Sequence, residues 1–331
     1  MNSNLFGIAL ALAGGVLVGN CMLPLKRIRV WPWECTWLMF SFVSLLLVPC
    51  LIALASIPDW PHLYASLRFS ELLPSLLFGF GWGIAQVLFG ISVVRLGMAL
   101  AFTIIVGLGT VFGTLVPLLT LHKNELASGN SHILIAGCGL MIFGVALSGG
   151  AGKLREPPQS EASHGYSSGL GIAVLSGVLS SMLNLSLAFG GPIAQVAVDH
   201  GAQASSAVFA VWPVALAGGL VPNLAYTVFL LNKNQSWKFL TRSAPDAFLS
   251  LLMGLLWIGA VAIYGLSTRY LGRLGDSAGW AIYQITMVLT ANTAGIVVGE
   301  WRLASRRALI VLASAVAILV LATITTAVST R

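Results

Sequence analysis

Apolar residues along this chain gather into ten runs separated by short polar segments, at approximately 5–25, 35–57, 72–94, 99–121, 132–150, 168–189, 206–231, 247–267, 278–299 and 308–328. Each run is about 20 residues long, the length a helix needs to cross a hydrocarbon core. The pattern predicts an all-α polytopic membrane protein with ten transmembrane helices. Composition agrees: 57% of the 331 residues are hydrophobic and 8% charged, against roughly 25% charged in a soluble domain. With a mean hydropathy of +0.92, there is more apolar surface than one core can bury, so lipid is the expected surrounding.

Charge sets an expected orientation. Twelve of the 17 Lys/Arg fall in the loops after runs 1, 3, 5, 7 and 9, and the other five (Arg68, Lys123, Arg269, Arg273 and Arg331) lie on the opposite side. The positive-inside rule then predicts those five loops in the cytoplasm and both termini outside. It also accounts for the +7 net charge without nucleic acid as a partner. The start, Met1-Asn2-Ser3-Asn4, lacks a basic leader region, so the first helix is expected to be retained. A polar stretch from Lys153 to His164 straddles the midpoint of the chain. It divides the chain into a first repeat at 1–152, a cytoplasmic linker at 153–167 and a second repeat at 168–331.

The word repeat rests on self-alignment. A shift of 175 sets Ser75-Leu-Leu-Phe-Gly-Phe-Gly-Trp82 on Ser250-Leu-Leu-Met-Gly-Leu-Leu-Trp257, and 10 of the 23 positions from 75 to 97 are identical. A shift of 162 aligns the first run with the sixth more weakly, through Gly7/Gly169 and Gly15/Gly177. Five runs separate equivalent positions, and five is odd, so the second half is expected to be inverted: a 5+5 inverted repeat, the usual architecture of secondary transporters.

Polar groups within apolar runs mark candidate solute contacts. Gly79, Gly83, Gln86 and Gly90 form one stripe on the third run, with Trp82 a turn from Gln86. A flat aromatic beside a hydrogen-bonding amide suits a sugar, which has apolar C–H faces and a rim of hydroxyls. Interhelical packing explains the same stripe equally well. Gln284 and Asn292 on the ninth run, and the aromatics Trp257, Tyr264 and Trp280, complete the candidate substrate-binding set, although for Tyr264, Trp280 and Tyr283 an interfacial belt is the explanation favoured. Asn20, Asn184 and Asn223 are lesser candidates. No Asp or Glu occupies the middle of a run, so the candidates for carrying a proton are the carboxylates near helix ends, Glu34, Asp276 and Glu300.

Other chemistries find little support. The four cysteines have no CxxC or Cys/His spacing, so no redox or metal site is expected, and no cofactor. The five histidines fall in loops or at helix ends, where a solvated role is expected. Gly149-Gly-Ala-Gly-Lys153 lacks both the leading glycine and the Ser/Thr of a phosphate loop. An enzyme needs a clustered nucleophile and base or a metal set, and none is seen.

At the junction of the first two runs the chain reads Pro24-Leu25-Lys26, then Trp31-Pro32-Trp33-Glu34 and Trp37. This resembles the L-rhamnose/proton symporter family, RhaT, of the drug/metabolite transporter superfamily. Trp82-Gly83-Ile84, Gly90, Arg95-Leu96-Gly97-Met98, and Glu300-Trp301 followed by Arg306-Arg307 are similar as well. The resemblance implies a carrier of the bacterial cytoplasmic (inner) membrane that imports rhamnose or a related sugar with a proton. It also marks departures: Gln195 stands in place of an acid and Ala260 in place of an amide. An exporter or exchanger of another small metabolite is the alternative, since one fold serves many solutes.

Overall fold

A computed structural model describes residues 3–96, 98–155, 166–272, 275–299 and 301–329. Among them every regular element is helical. In hydrocarbon each backbone N–H and C=O must find a partner within the chain, and a helix pairs them locally.

Ten long helices follow one another: α1 Ser3–Asn20, α2 Trp33–Ser56, α3 Phe69–Leu96, α4 Met98–Thr120, α5 Gly129–Arg155, α6 Ser167–Asp199, α7 Ala207–Lys233, α8 Ala244–Tyr270, α9 Gly275–Val297 and α10 Arg306–Val328. Two depart from regular winding. The middle of α2, Phe42–Leu47, is π-helical just before Pro49, whose missing N–H and bulky ring cannot continue the regular ladder. α6 is interrupted after Ser180 and again before Gly191, and it runs on past the expected end at 189.

Nine helices among the described residues are long and apolar enough to cross a membrane, and α9 is not among them. The sequence reading had counted ten equivalent apolar runs. α9 differs because every residue from Ser277 to Thr286 is buried. A helix surrounded by protein needs no apolar face for lipid, and α9 instead carries Ser277, Gln284, Thr286 and Asn292. Positions 156–165 of the expected linker lie outside the described residues.

The chain forms two compact units. One comprises the described residues of Met1–Gly19, Ala85–Ser181 and Ser267–Arg331. Its core joins Val106 of α4, Met141 and Val145 of α5, Ile285 and Val288 of α9, and Leu319 and Ala322 of α10. Glycines bring its helices close: a methyl at Gly7 would lie 2.8 Å from the Leu271 side chain, and one at Gly169 3.1 Å from that of Leu96. Gly169 follows Gly7 by the 162 residues of the weaker register and Leu271 follows Leu96 by the 175 of the stronger. The two contacts are therefore the same contact with the halves of the chain exchanged.

The other unit comprises Asn20–Ile84 and Met182–Leu266, and the same exchange occurs in it. A methyl at Gly79 of α3 would lie 1.8 Å from the carbonyl oxygen of Ala215 on α7, and one at Gly254 of α8 3.4 Å from that of Phe40 on α2. Both members of the second contact are offset from their counterparts by 175 residues.

Candidate functional site

In the unit formed by Asn20–Ile84 and Met182–Leu266, α3 and α8 each carry an indole at mid-length. The rings of Trp82 and Trp257 stack with centroids 5.3 Å apart and planes 24° from parallel. Both are buried. Gly219 of α7 lies against Trp82, where a methyl would come within 2.8 Å of Cε3. The ring of Phe40 meets Trp257 edge-on at 6.0 Å, and from Phe40 the aromatics continue through Trp37 at 4.8 Å to Trp33 at 5.1 Å. Trp37 Nε1 donates to Asn223 Oδ1 at 3.0 Å, and Asn223 Nδ2 donates to the Gly219 carbonyl at 2.8 Å. The Asn223 amide is thus held by protein.

Tyr264 is also held. Its ring is 1% exposed and its hydroxyl donates to Asn184 Oδ1, which is core burial rather than an interfacial belt. Among the described residues of this unit, the buried groups without a partner are instead the hydroxyls of Thr36, Ser41 and Thr227 and the indole N–H groups of Trp31 and Trp212. Sequence reasoning missed these, because a small hydroxyl in an apolar run usually bonds to its own helix.

Glu34 opens α2 and is 5% exposed. Its Oε1 accepts from Ser236 Oγ at 2.6 Å and Asn234 Nδ2 at 3.0 Å. Among the described residues no cation pairs with it, so hydroxyl, amide and helix N-terminus carry its charge. Asp246 was not singled out, yet it is 3% exposed and receives the backbone N–H groups of Val30 at 2.7 Å, Trp31 at 2.9 Å and Arg29 at 3.4 Å. The signal for it was the repeat. Glu71, 175 residues earlier, also opens its helix and also accepts a backbone N–H, from Arg68 at 2.8 Å.

The remaining candidates fall in the other unit. Gln86 of α3 is partly buried and its amide makes no hydrogen bond with a described residue; Gln284 of α9, 7% exposed, is in the same position. Two amides are therefore available to a ligand. Asn292 is committed, donating to Ser148 Oγ at 2.7 Å. Trp280 is 3% exposed, donates to the Gly109 carbonyl at 3.2 Å and stacks on Tyr283 at 5.7 Å, so it too sits in the core rather than at an interface. Asp276 Oδ1 meets His122 Nε2 at 2.9 Å. The sequence reading took His122 as solvated, but its side chain is 22% exposed. Its pKa is raised from 6.5 by the hydrogen bond to Asp276, against partial burial, with the negative charges of Asp276 and Glu125 adding to the rise. Glu300 lies outside the described residues. Among the described residues no cluster of His, Cys, Asp or Glu has the makings of a metal site.

In the unit formed by Asn20–Ile84 and Met182–Leu266, a buried indole pair at mid-helix together with buried hydroxyls unpaired among the described residues suits a polar, uncharged solute with apolar faces. Comparison with known proteins agrees. The family model described as L-rhamnose-proton symport protein (RhaT) matches residues 1–329. L-rhamnose-proton symporters of Cronobacter sakazakii and Salmonella typhi are 27% and 26% identical to the chain, in each case over 97% of it and 96% of the relative. That of Yersinia pestis is 25% identical over the same shares.

Proposed function

The chain belongs to the L-rhamnose-proton symport protein (RhaT) family, and on that premise we propose that it imports L-rhamnose or a related sugar with a proton by alternating access. The observation that carries this reading is a match along nearly the whole chain to a family and to relatives that all bear that name.

The architecture proposed is a ten-helix 5+5 inverted repeat of the drug/metabolite transporter superfamily, in the bacterial inner membrane with both termini outside. Exchanged contacts support it. In a two-fold arrangement, if one residue touches the counterpart of another, the reverse pair must touch as well. Gly7 with Leu271 and Gly169 with Leu96 satisfy this, and so do Gly79 with Ala215 and Gly254 with Phe40. The boundaries of the two compact units fall near 19/20, 84/85, 181/182 and 266/267, at the end of α1 and within α3, α6 and α8. These are two pairs of repeat-related helices.

For the solute, Trp82 and Trp257 are the contacts favoured, with Tyr264 in the same unit; Gln86, Gln284, Trp280 and Asn292 are the candidates that the other unit carries. Glu34 and Asp276 are the candidates for the coupled proton, and Glu300 is a third. Uptake of L-rhamnose into proteoliposomes tests the reading. An imposed gradient, acid outside, drives accumulation that a protonophore abolishes. Exchange that ignores the gradient would replace symport by the exchanger alternative.

A further inference from the structure

Trp82 is 5% exposed: Trp257 stacks on one face, and Gly219 lies against the six-membered ring at Cε3 and Cζ3. The Gly219 side is fixed by backbone: a methyl would lie 1.8 Å from the Ala215 carbonyl at Gly79, 2.4 Å from the Gly219 carbonyl at Gly83, and 2.2 Å from the Leu76 carbonyl at Gly218. Backbones this close have no rotamer to yield, so α7 and the first half of α3 behave as one piece. α8 has its own close neighbour in α2, through Gly254 against Phe40 and Val43. Trp257 and Trp82 thus lie on helices with different close backbone partners, while α2 and α7 are joined by the Trp37–Asn223 hydrogen bond and α8 meets α7 where Gly265 faces Trp212; the two indoles themselves meet side chain to side chain.

Resting on the sugar-carrier reading above, we propose that the Trp82–Trp257 stack is the closed form of the solute site, and that in the open form a six-membered sugar ring lies between the two indoles with a C–H face on each. Carbon contacts are best at about 3.5–4 Å, so a ring held between two indoles needs their planes roughly 7–8 Å apart. The centroids here are 5.3 Å apart. Indoles in stacking contact have their planes about 3.5–4 Å apart, so an opening of about 4 Å is needed, more than a small helix shift and within the reach of a hinge motion. The class of ligand follows from the walls. A deoxypyranose has more continuous C–H surface than a fully hydroxylated sugar, and its hydroxyl rim needs polar partners at the edge of the sandwich. Candidates for these partners are the hydroxyls of the same unit that have none among the described residues, those of Thr36, Ser41 and Thr227. Without solute the indoles close on each other, because separated faces would lose these contacts and leave a dry gap.

The test reads the stack directly. Two stacked indoles give an exciton couplet in far-ultraviolet circular dichroism, so the full chain in detergent is titrated with L-rhamnose, and uptake is measured in parallel. Expected is a couplet that fades as sugar binds, at the same concentrations that saturate uptake. Trp82→Leu and Trp257→Leu each lack the couplet from the start and lose roughly tenfold in sugar affinity, while Trp82→Phe loses less. The titration of the parent stands even if a leucine variant does not fold. A couplet unchanged by sugar in protein that transports it overturns the sandwich and leaves the carrier reading intact, as does a folded leucine variant with parental affinity. Protein that takes up no sugar overturns both.

Discussion

Trp82 and Trp257 are stacked face to face although 175 residues separate them, and they are the pair that the internal register aligns. Residues related by a two-fold axis touch only where that axis passes between them. In the proposed duplication the axis therefore runs between these two rings, at mid-length of α3 and α8. A solute bound on the axis meets equivalent surroundings from either side of the membrane, which is what alternating access requires of a central site.

The exchanged glycine contacts predict an order of stability. Gly79→Ala places a methyl 1.8 Å from the Ala215 carbonyl, so the helices must separate, whereas at Gly254 the nearest atoms stand at 3.0 Å and at Gly90 nothing lies within 4 Å. Overpacking of this kind costs about 1–3 kcal/mol. Replacing an unconstrained helical glycine by alanine gains about 0.5–1 kcal/mol. Thermal unfolding in detergent should rank Gly90→Ala at or above the parent, Gly254→Ala below it and Gly79→Ala lowest. A Gly79→Ala protein as stable as the parent would mean that α3 and α7 do not meet by backbone.

Gln284 and Asn292 lie on the same helix, yet their substitutions should act in opposite directions. Gln284 is 7% exposed and its amide makes no hydrogen bond with a described residue; an amide left dry costs up to about 1–3 kcal/mol. Gln284→Leu is expected to raise the melting temperature and to weaken sugar binding, the trade expected of a site that keeps a polar group for its ligand. Asn292→Leu removes the 2.7 Å bond to Ser148 and should lower stability by about 1 kcal/mol. Gln86→Leu belongs with Gln284→Leu in its effect on affinity. If Gln284→Leu binds sugar as the parent does, that amide has no part in the site.

Much of this was legible in the sequence because the signals are periodic or duplicated. Run length gave the helices, and the match of Trp82 with Trp257 drew attention to the pair that stacks. Their direct contact was not legible, since a self-alignment says which positions correspond and not which lie on the axis. Asp246 and His122 were missed for a related reason: each acts through a partner distant in the chain, Val30 and Trp31 for one and Asp276 for the other. α9 counts in the sequence as one more apolar run, although Ser277, Gln284, Thr286 and Asn292 make it less apolar than the other helices, and its burial shows why it can be so.

Glu34→Gln separates a coupling role from a structural one. The substituted side chain keeps an oxygen to accept from Ser236 and Asn234, now at 2.6 and 3.0 Å, so the protein should fold and bind sugar. It cannot release a proton. If Glu34 carries the coupled proton, accumulation driven by a pH gradient is lost while exchange of labelled for unlabelled sugar continues. Accumulation at the parental level would assign Glu34 to holding α2 against the turn at 234–236, and Asp276→Asn would then be the variant to test for coupling.

The His122–Asp276 pair predicts how stability changes with pH. Its hydrogen bond raises the folded pKa of His122 above the ordinary 6.5, so folding favours the protonated ring. That stabilisation is fully present below the unfolded value and is lost as pH rises through the folded one. The melting temperature should therefore fall as pH is taken from below 6.5 to well above it, and His122→Gln should flatten this part of the profile, its melting temperature meeting the parent's at the alkaline end. The exposed pair His62–Asp59, at 2.5 Å with side chains 78% and 56% exposed, carries the same sign but is screened by water and salt. His62→Gln should leave the slope in place. A His122→Gln protein with the parental slope would mean that another group sets the dependence and that the loop before α5 is not held to α9 by charge.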